Sequence, residues 1–267
     1  MTLSIAFASL KGGVGKTTTA LNCAYAFARR GSRTLLVDTD PQGAIGLSLD
    51  GVSERAGLAE SLADGDVALS RVLRTRLPEL QILPMGAVGA LDVDNLSKLA
   101  RVHDSLKRIV DSSQRQYDVV IFDTPAGLGG MTRLALEAVE NVIAVAQCEP
   151  LALRSLPRLL ELLAQLRESG DNCSLLGVVG NMSSFRDPVV LASLEELWGL
   201  YKGRVFETAI PRDNTFLQAS RAGVPLGLLS RRPPSVAAVF DSLVAEIEAR
   251  LGITEGDEND GPIRLVD

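Results

Sequence analysis

A chain of 267 residues, 46% of them hydrophobic, can bury the core of one large domain or two small ones, which excludes disorder of the whole. Its 27 Lys and Arg against 33 Asp and Glu give a net charge of -6, at first sight an argument against a nucleic-acid binder. Cys23, Cys148 and Cys173 stand far apart, form no CxxC pair or zinc-like cluster, and read as buried thiols in a reducing cytoplasm. There is no charged n-region with a cleavage site at the start. No apolar run reaches the ~18 residues of a membrane span. The one histidine, His103, reads as a surface residue of a helix, not a ligand.

Short apolar runs alternate with segments of helical period. The runs predict strands at Leu3–Ala8, Thr34–Val37, Leu80–Leu83, Val119–Phe122, Val142–Ala146, Leu176–Val179 and Val205–Thr208. The periodic segments predict helices at Lys16–Arg30, Val93–Ser112, Leu151–Ser169, Val189–Leu200, Asn214–Ala222 and Ser235–Leu251. Several strands are continuous apolar runs, as in strands buried on both faces. The expected fold is α/β: a mostly parallel sheet flanked by helices. One domain over residues 1–251 is expected, followed by an acidic, disordered tail over 252–267.

After the first strand stands Lys11-Gly12-Gly13-Val14-Gly15-Lys16-Thr17-Thr18. In a strand, Gly-rich turn, helix context, the glycines let backbone N–H groups curl around phosphate oxygens, and the helix N-terminus adds positive potential. Lys16 is placed to meet the terminal phosphates and the Thr17 hydroxyl to coordinate Mg²⁺. The usual GxxxxGK[ST] pattern is varied here, with Ser9 or Leu10 at the first glycine position and a second lysine at Lys11. At the end of the second strand, Asp38-Thr39-Asp40-Pro41-Gln42-Gly43 brings carboxylates to the ligand crevice of a parallel sheet. One could position or deprotonate a water while the other supports a metal shell. A third strand end carries Asp123-Thr124-Pro125-Ala126-Gly127, where Asp123 could hold Mg²⁺ through water and the N–H near Gly127 could sense a γ-phosphate.

The string KGGVGKTT resembles the deviant Walker A motif of the ParA/MinD family of P-loop ATPases, in particular its small ParA members. DTDPQG resembles the family's switch I, and YDVVIFDTPAGLG its Walker B strand and switch II. The resemblance extends from Ser4 to about Leu251. It implies a slow, Mg²⁺-dependent ATPase that dimerises on binding ATP, with Lys11 reaching the partner's phosphates. It implies that Asp40 activates the attacking water and that Asp38 helps order the Mg²⁺ site. By the same resemblance Asn181 hydrogen-bonds adenine, and the loop Ala209-Ile210-Pro211-Arg212-Asp213-Asn214 closes over the base. Asp213 stands there where the family often has Asn.

The negative charge is unevenly placed. Gly252–Asp267 carries five acids and one Arg, a net of -4, and leaves the remaining body at -2. Residues 201–234 hold Lys202, Arg204, Arg212, Arg221, Arg231 and Arg232 against Glu207 and Asp213, a net of +4. A ParA-like reading follows: a dimer that binds nucleoid DNA without sequence preference, positions or segregates a cargo in the cytoplasm, and is released when a ParB-like or cargo-adaptor protein stimulates hydrolysis. Arg186, Arg212, Arg221, Arg231 and Arg232 are the candidate DNA contacts. Eight residues precede Ser9, so no N-terminal helix-turn-helix and no operator binding are expected. A membrane-associated MinD- or FlhG-like switch would need a basic amphipathic last helix. Here that helix is acidic and an acidic tail follows, so no membrane partner is expected. A metabolic relative is the third reading. Of these, an iron protein would need a cysteine after switch II, where Thr124–Arg133 has none.

Overall fold

The structure, a computed structural model, describes residues 2–65, 68–88, 93–102, 104–184 and 186–253. Seven strands form one sheet: β1 Leu3–Ala8, β2 Thr34–Asp38, β3 Leu73–Arg74, β4 Leu80–Leu83, β5 Val119–Asp123, β6 Asn141–Gln147 and β7 Ser174–Asn181. Their order is β3-β4-β2-β5-β1-β6-β7. Every pairing is parallel except that of the two-residue β3 with β4. The helices are α1 Lys16–Arg29, α2 Ala44–Ser48, α3 Leu58–Asp64, α4 Val93–Val102, α5 Ser105–Ser113, α6 Gly130–Ala138, α7 Pro150–Glu168, α8 Pro188–Leu200, α9 Thr215–Ala222 and α10 Ala238–Arg250. The expected α/β architecture is thus observed.

The apolar strands serve two cores. Side chains of a strand alternate between faces, so Ala6, Ala8, Val120 and Phe122 pack under α3 to α7, while Ile5, Phe7, Val119 and Ile121 pack under α1 and α10. All five residues of β2 and of β5 are buried. That burial explains why these strands read as unbroken apolar runs. At α8, Pro188 occupies the first turn and the Asp187 carboxylate accepts from Val189 N and Val190 N, a capped start one residue before the expected boundary.

Two expectations are corrected. The segment Val93–Ser112 is two helices, because Asp104 takes a left-handed conformation at φ 49° between α4 and α5. Both halves pack on α6, and the break lets each keep its own apolar face inward. His103 lies outside the described residues at this junction. The run Val205–Thr208 is not a strand of the sheet. Only Val205 bridges, to Val178 of β7. The Phe206 N–H donates to Val178 O at 2.9 Å, and the two that follow, of Glu207 and Thr208, donate to the Glu246 carboxylate at 2.8 and 3.1 Å. The Arg250 guanidinium donates to the carbonyls of Arg204 and Val205 and lies 4.0 Å over the Phe206 ring. Beyond that one bridge, a side-chain pair on α10 does what a longer strand ladder would have done. Sequence reading also missed α2, α3 and α6, each of nine residues or fewer, and β3.

Candidate functional site

Register builds the site. Phe7 of β1 pairs with Asp123 of β5, and Asp123 with Asp38 of β2, so three adjacent parallel strands end at one level. The loop from Ser9 to Gly15 turns there and delivers the chain into α1. Gly13 and Gly15 have φ of 75° and 83°, a region that L side chains rarely enter. A Cβ at Gly15 would stand 2.2 Å from the Asn181 amide nitrogen. The first turn of α1 has no acidic side chain and no side-chain cap, so its N–H groups face the crevice available to an anion.

Lys16 is buried, with Nζ 3.9 Å from Asp123 Oδ1. Asp123 is fully buried, and neither of its oxygens closes a hydrogen bond among the described residues. Burial pushes its carboxyl up to about 6, against the pull of Lys16 and then of the Thr17 hydroxyl. Asp38 is also fully buried and is pushed up to about 8, first by burial and then by the Asp123 charge. Its oxygens are in use: Oδ1 accepts from Asp40 N at 3.0 Å and Oδ2 from Ile45 N at 2.9 Å. Asp38 therefore braces the loop that carries Asp40. Asp40 in turn accepts from Gln42 N at 2.9 Å through one oxygen.

A buried carboxylate whose oxygens close no hydrogen bond among the described residues, beside a second carboxylate and the Thr17 hydroxyl, fits a hard divalent cation that takes its remaining ligands from water and phosphate. Among the described residues, no group of three or more His, Cys, Asp or Glu forms a self-sufficient metal cage.

Other predicted residues are placed less simply. Lys11 pairs with Glu149 of the same chain at 3.3 Å. Glu149, just beyond β6, also accepts from Gln147 Nε2. Sequence reasoning passed over Glu149, although an acid at a parallel strand's carboxyl end was the available signal. The Gly127 N–H donates to Ser9 O at 3.0 Å, linking the third strand-end loop to the Gly-rich loop. Asn181 is buried and its amide serves the backbone: Nδ2 donates to Val14 O at 2.6 Å, and Oδ1 accepts from Met182 N at 2.8 Å. It holds the Gly-rich loop in shape. Met182 follows with φ 55°, and the Arg212 guanidinium lies 3.8 Å from its sulfur. Pro211 bridges to Ser183, keeping its loop beside β7. Asp213 accepts from the Thr215 N–H and hydroxyl at the start of α9, which holds its carboxyl below the usual range.

The five candidate DNA-contact arginines are all exposed. Arg186 precedes α8, Arg212 precedes α9, Arg221 lies in its last turn, and Arg231 and Arg232 follow in the connection to α10. Among the described residues none of them has an ion-pair partner.

Comparison with known proteins decides the family. A family model described as "AAA domain" matches residues 2–175. The sporulation initiation inhibitor protein Soj of Bacillus subtilis is 31% identical over 250 residues, covering 92% of this chain and 98% of Soj. The chain belongs to the ParA/MinD family. Its ParA branch is further represented by the chromosome partitioning protein ParA of Myxococcus xanthus, 32% identical over 83% of this chain and 80% of that protein. Its MinD branch is represented by the Mg-ADP complex of MinD from Pyrococcus horikoshii. This aligns with a TM-score of 0.73 and 26% identity over 95% of this chain and 98% of that one.

Proposed function

We propose that the protein is an ATP-driven dimerising switch that binds DNA without sequence preference and positions or segregates a cargo. The observation that carries the nucleotide part of this reading is the buried Asp123 carboxylate beside Lys16 and the Thr17 hydroxyl at the mouth of the Gly-rich loop. Such a carboxylate is costly to bury unless a cation joins it. ATP and Mg²⁺ are the cofactors this pocket would take. The chromosome partitioning protein ParA supplies the partition role by likeness, and the MinD structure, with its Mg-ADP, supplies the nucleotide.

Magnesium, when bound, supplies positive charge to the β- and γ-phosphates. Thr17 and Asp123 would hold it, with Asp38 behind them ordering switch I. Backbone N–H groups from Gly12 to Thr18 cradle the phosphates, and Lys16 neutralises the charge that develops on transfer. Asp40 orients the attacking water through the carboxylate oxygen not used by Gln42. Gly127 would leave Ser9 O to meet the γ-phosphate, while Asn181, Pro211 and Asp213 border the base.

Lys11 and Glu149 are each more than one-third exposed, so their pair contributes no more than about 1 kcal/mol. Exchange of Glu149 for a partner's phosphates therefore meets little resistance. The duplicated arginines of a dimer would bind the nucleoid, and an adaptor protein of the ParB kind would stimulate hydrolysis and release. Among the described residues no helix is long and apolar enough to cross a membrane. The last helix ends in one basic residue, Arg250, already committed to backbone carbonyls and Glu246, which gives no support to membrane docking.

The test is an Asp40→Ala variant. It should bind ATP and form the ATP-dependent dimer, yet lose turnover by at least about a hundredfold, the scale of a positioned general base. Unchanged hydrolysis by that variant would refute the assignment.

A further inference from the structure

On the α1 face of the sheet, beyond its β4 margin, lies a cavity of about 480 Å³ that the ATPase reading does not use. Its walls are apolar: Leu21 and Tyr25 of α1, Leu77, Ile82 of β4, and Leu228. The rim is charged, with Arg55, Arg74 and Arg76 against Asp50. All four rim residues are exposed. Its size is that of a site for a small ligand or a few side chains. An apolar slot with three guanidiniums at its mouth selects a ligand that is apolar along its body and acidic beside it.

This chain contains such a segment. Residues 254–267 read Thr-Glu-Gly-Asp-Glu-Asn-Asp-Gly-Pro-Ile-Arg-Leu-Val-Asp. Four acids, Glu255, Asp257, Glu258 and Asp260, are followed at once by Ile263, Leu265 and Val266, with Arg264 between them. We infer that residues 255–266 of the same chain dock in this cavity: Ile263, Leu265 and Val266 enter the slot and the acids meet Arg55, Arg74 and Arg76. Arg264 then has Asp50 available at the same mouth.

Reach permits it. α10 lies on the same sheet face as α1, tied to it by Arg30–Glu248 at 2.9 Å, and ends where Arg250 meets the start of β7. Leu21 and Tyr25 of α1 line the cavity, while Arg29 and Arg30 at the end of the same helix, about 10–12 Å wide, meet Asp241 and Glu248 of α10. Fourteen extended residues span about 45–50 Å. Tethering sets an effective concentration on the order of millimolar, so weak contacts suffice. The docked segment would touch Leu49–Arg55, which follows switch I and α2, and Gly223–Leu228, which follows α9. These two stretches already meet through Asp50 N and Gly223 O at 3.1 Å.

The experiment uses the full chain with Gly261→Cys carrying a nitroxide spin label, because the three native cysteines are buried. Docking gives an immobilised spectrum at low micromolar protein. The immobilised component should be lost with Arg74→Glu and Arg76→Glu together, and with Leu228→Glu at a position already 53% exposed, and should survive Arg74→Lys with Arg76→Lys. A freely tumbling label in the parent overturns the inference. So does immobilisation insensitive to the Glu variants, or immobilisation that grows with protein concentration, which would give the cavity to the segment of a second copy.

Discussion

Gly15 concentrates the constraints of the site in one residue. Its φ is 83° and its α-carbon faces the Asn181 amide, so any side chain meets both strain and a 2.2 Å clash. Gly15→Ala should raise the Kd for ATP by at least tenfold, measured by titration calorimetry. Pairing it with Asn181→Ala should recover only part of that, because the backbone strain stays. The cysteines give an independent residue-scale check. Burial pushes the Cys148 thiol up to about 11 and the Cys23 thiol higher still. At pH 8 the thiolate fraction of Cys148 is then about a hundredfold below that of an ordinary thiol. The native protein should resist iodoacetamide over a time in which the urea-unfolded chain takes up three equivalents. Much of the phosphate site was legible at this scale, since Asp38 and Asp123 end strands that the apolar runs predict and Lys16 opens the helix after the Gly-rich loop. The Glu149 pairing and the inward turn of Asn181 were not legible. Both depend on which side-chain atoms the folded loops bring within 3.5 Å, and spacing along the chain does not encode that.

At the scale of elements, α10 acts as a clamp. Arg250 and Glu246 together satisfy the backbone of residues 204–208, and each side chain is only about one-fifth exposed. Removing Arg250 takes a donor from the carbonyls of Leu176, Arg204 and Val205 and leaves the Glu246 charge with only the Glu207 and Thr208 N–H groups. Arg250→Ala should therefore cost about 2–3 kcal/mol, and about 5–10 °C in Tm for a domain of this size. The α4–α5 junction predicts a change of the other sign. Asp104 holds a left-handed conformation without a side-chain cap, so Asp104→Gly should be neutral or stabilising by up to about 1 kcal/mol in urea unfolding. Both features mark where sequence reading stopped. Val205–Thr208 has strand composition, but only its Phe206 N–H donates to β7, while Glu207 and Thr208 donate to the Glu246 side chain on α10. Val93–Ser112 has helical period throughout, and its break answers to packing on α6.

For the whole molecule, charge distribution matters more than net charge. The exposed arginines from Arg212 to Arg232 lie on a chain of net charge -6, so DNA retention should be weak for a monomer and steep in salt for a dimer. If Arg231 and Arg232 each meet one phosphate, a dimer carrying both Arg→Glu changes should lose about 3–4 from the slope of log K against log salt. Basal ATP turnover should be unchanged. Lys11→Ala should abolish the ATP-dependent dimer in sedimentation while monomer stability stays within about 1 kcal/mol of the parent.

The outer margin of β7 has a further consequence. Its backbone is taken up by the segment 204–212: Val178 N meets Arg204 O, Phe206 N meets Val178 O, Ile210 N meets Gly180 O, and Arg212 N meets Ser183 O. The opposite margin is a two-residue antiparallel β3 with an exposed Arg74. Neither side offers a long row of free amides on which another strand could template. Growth of copies into cross-strand fibres is thereby blunted.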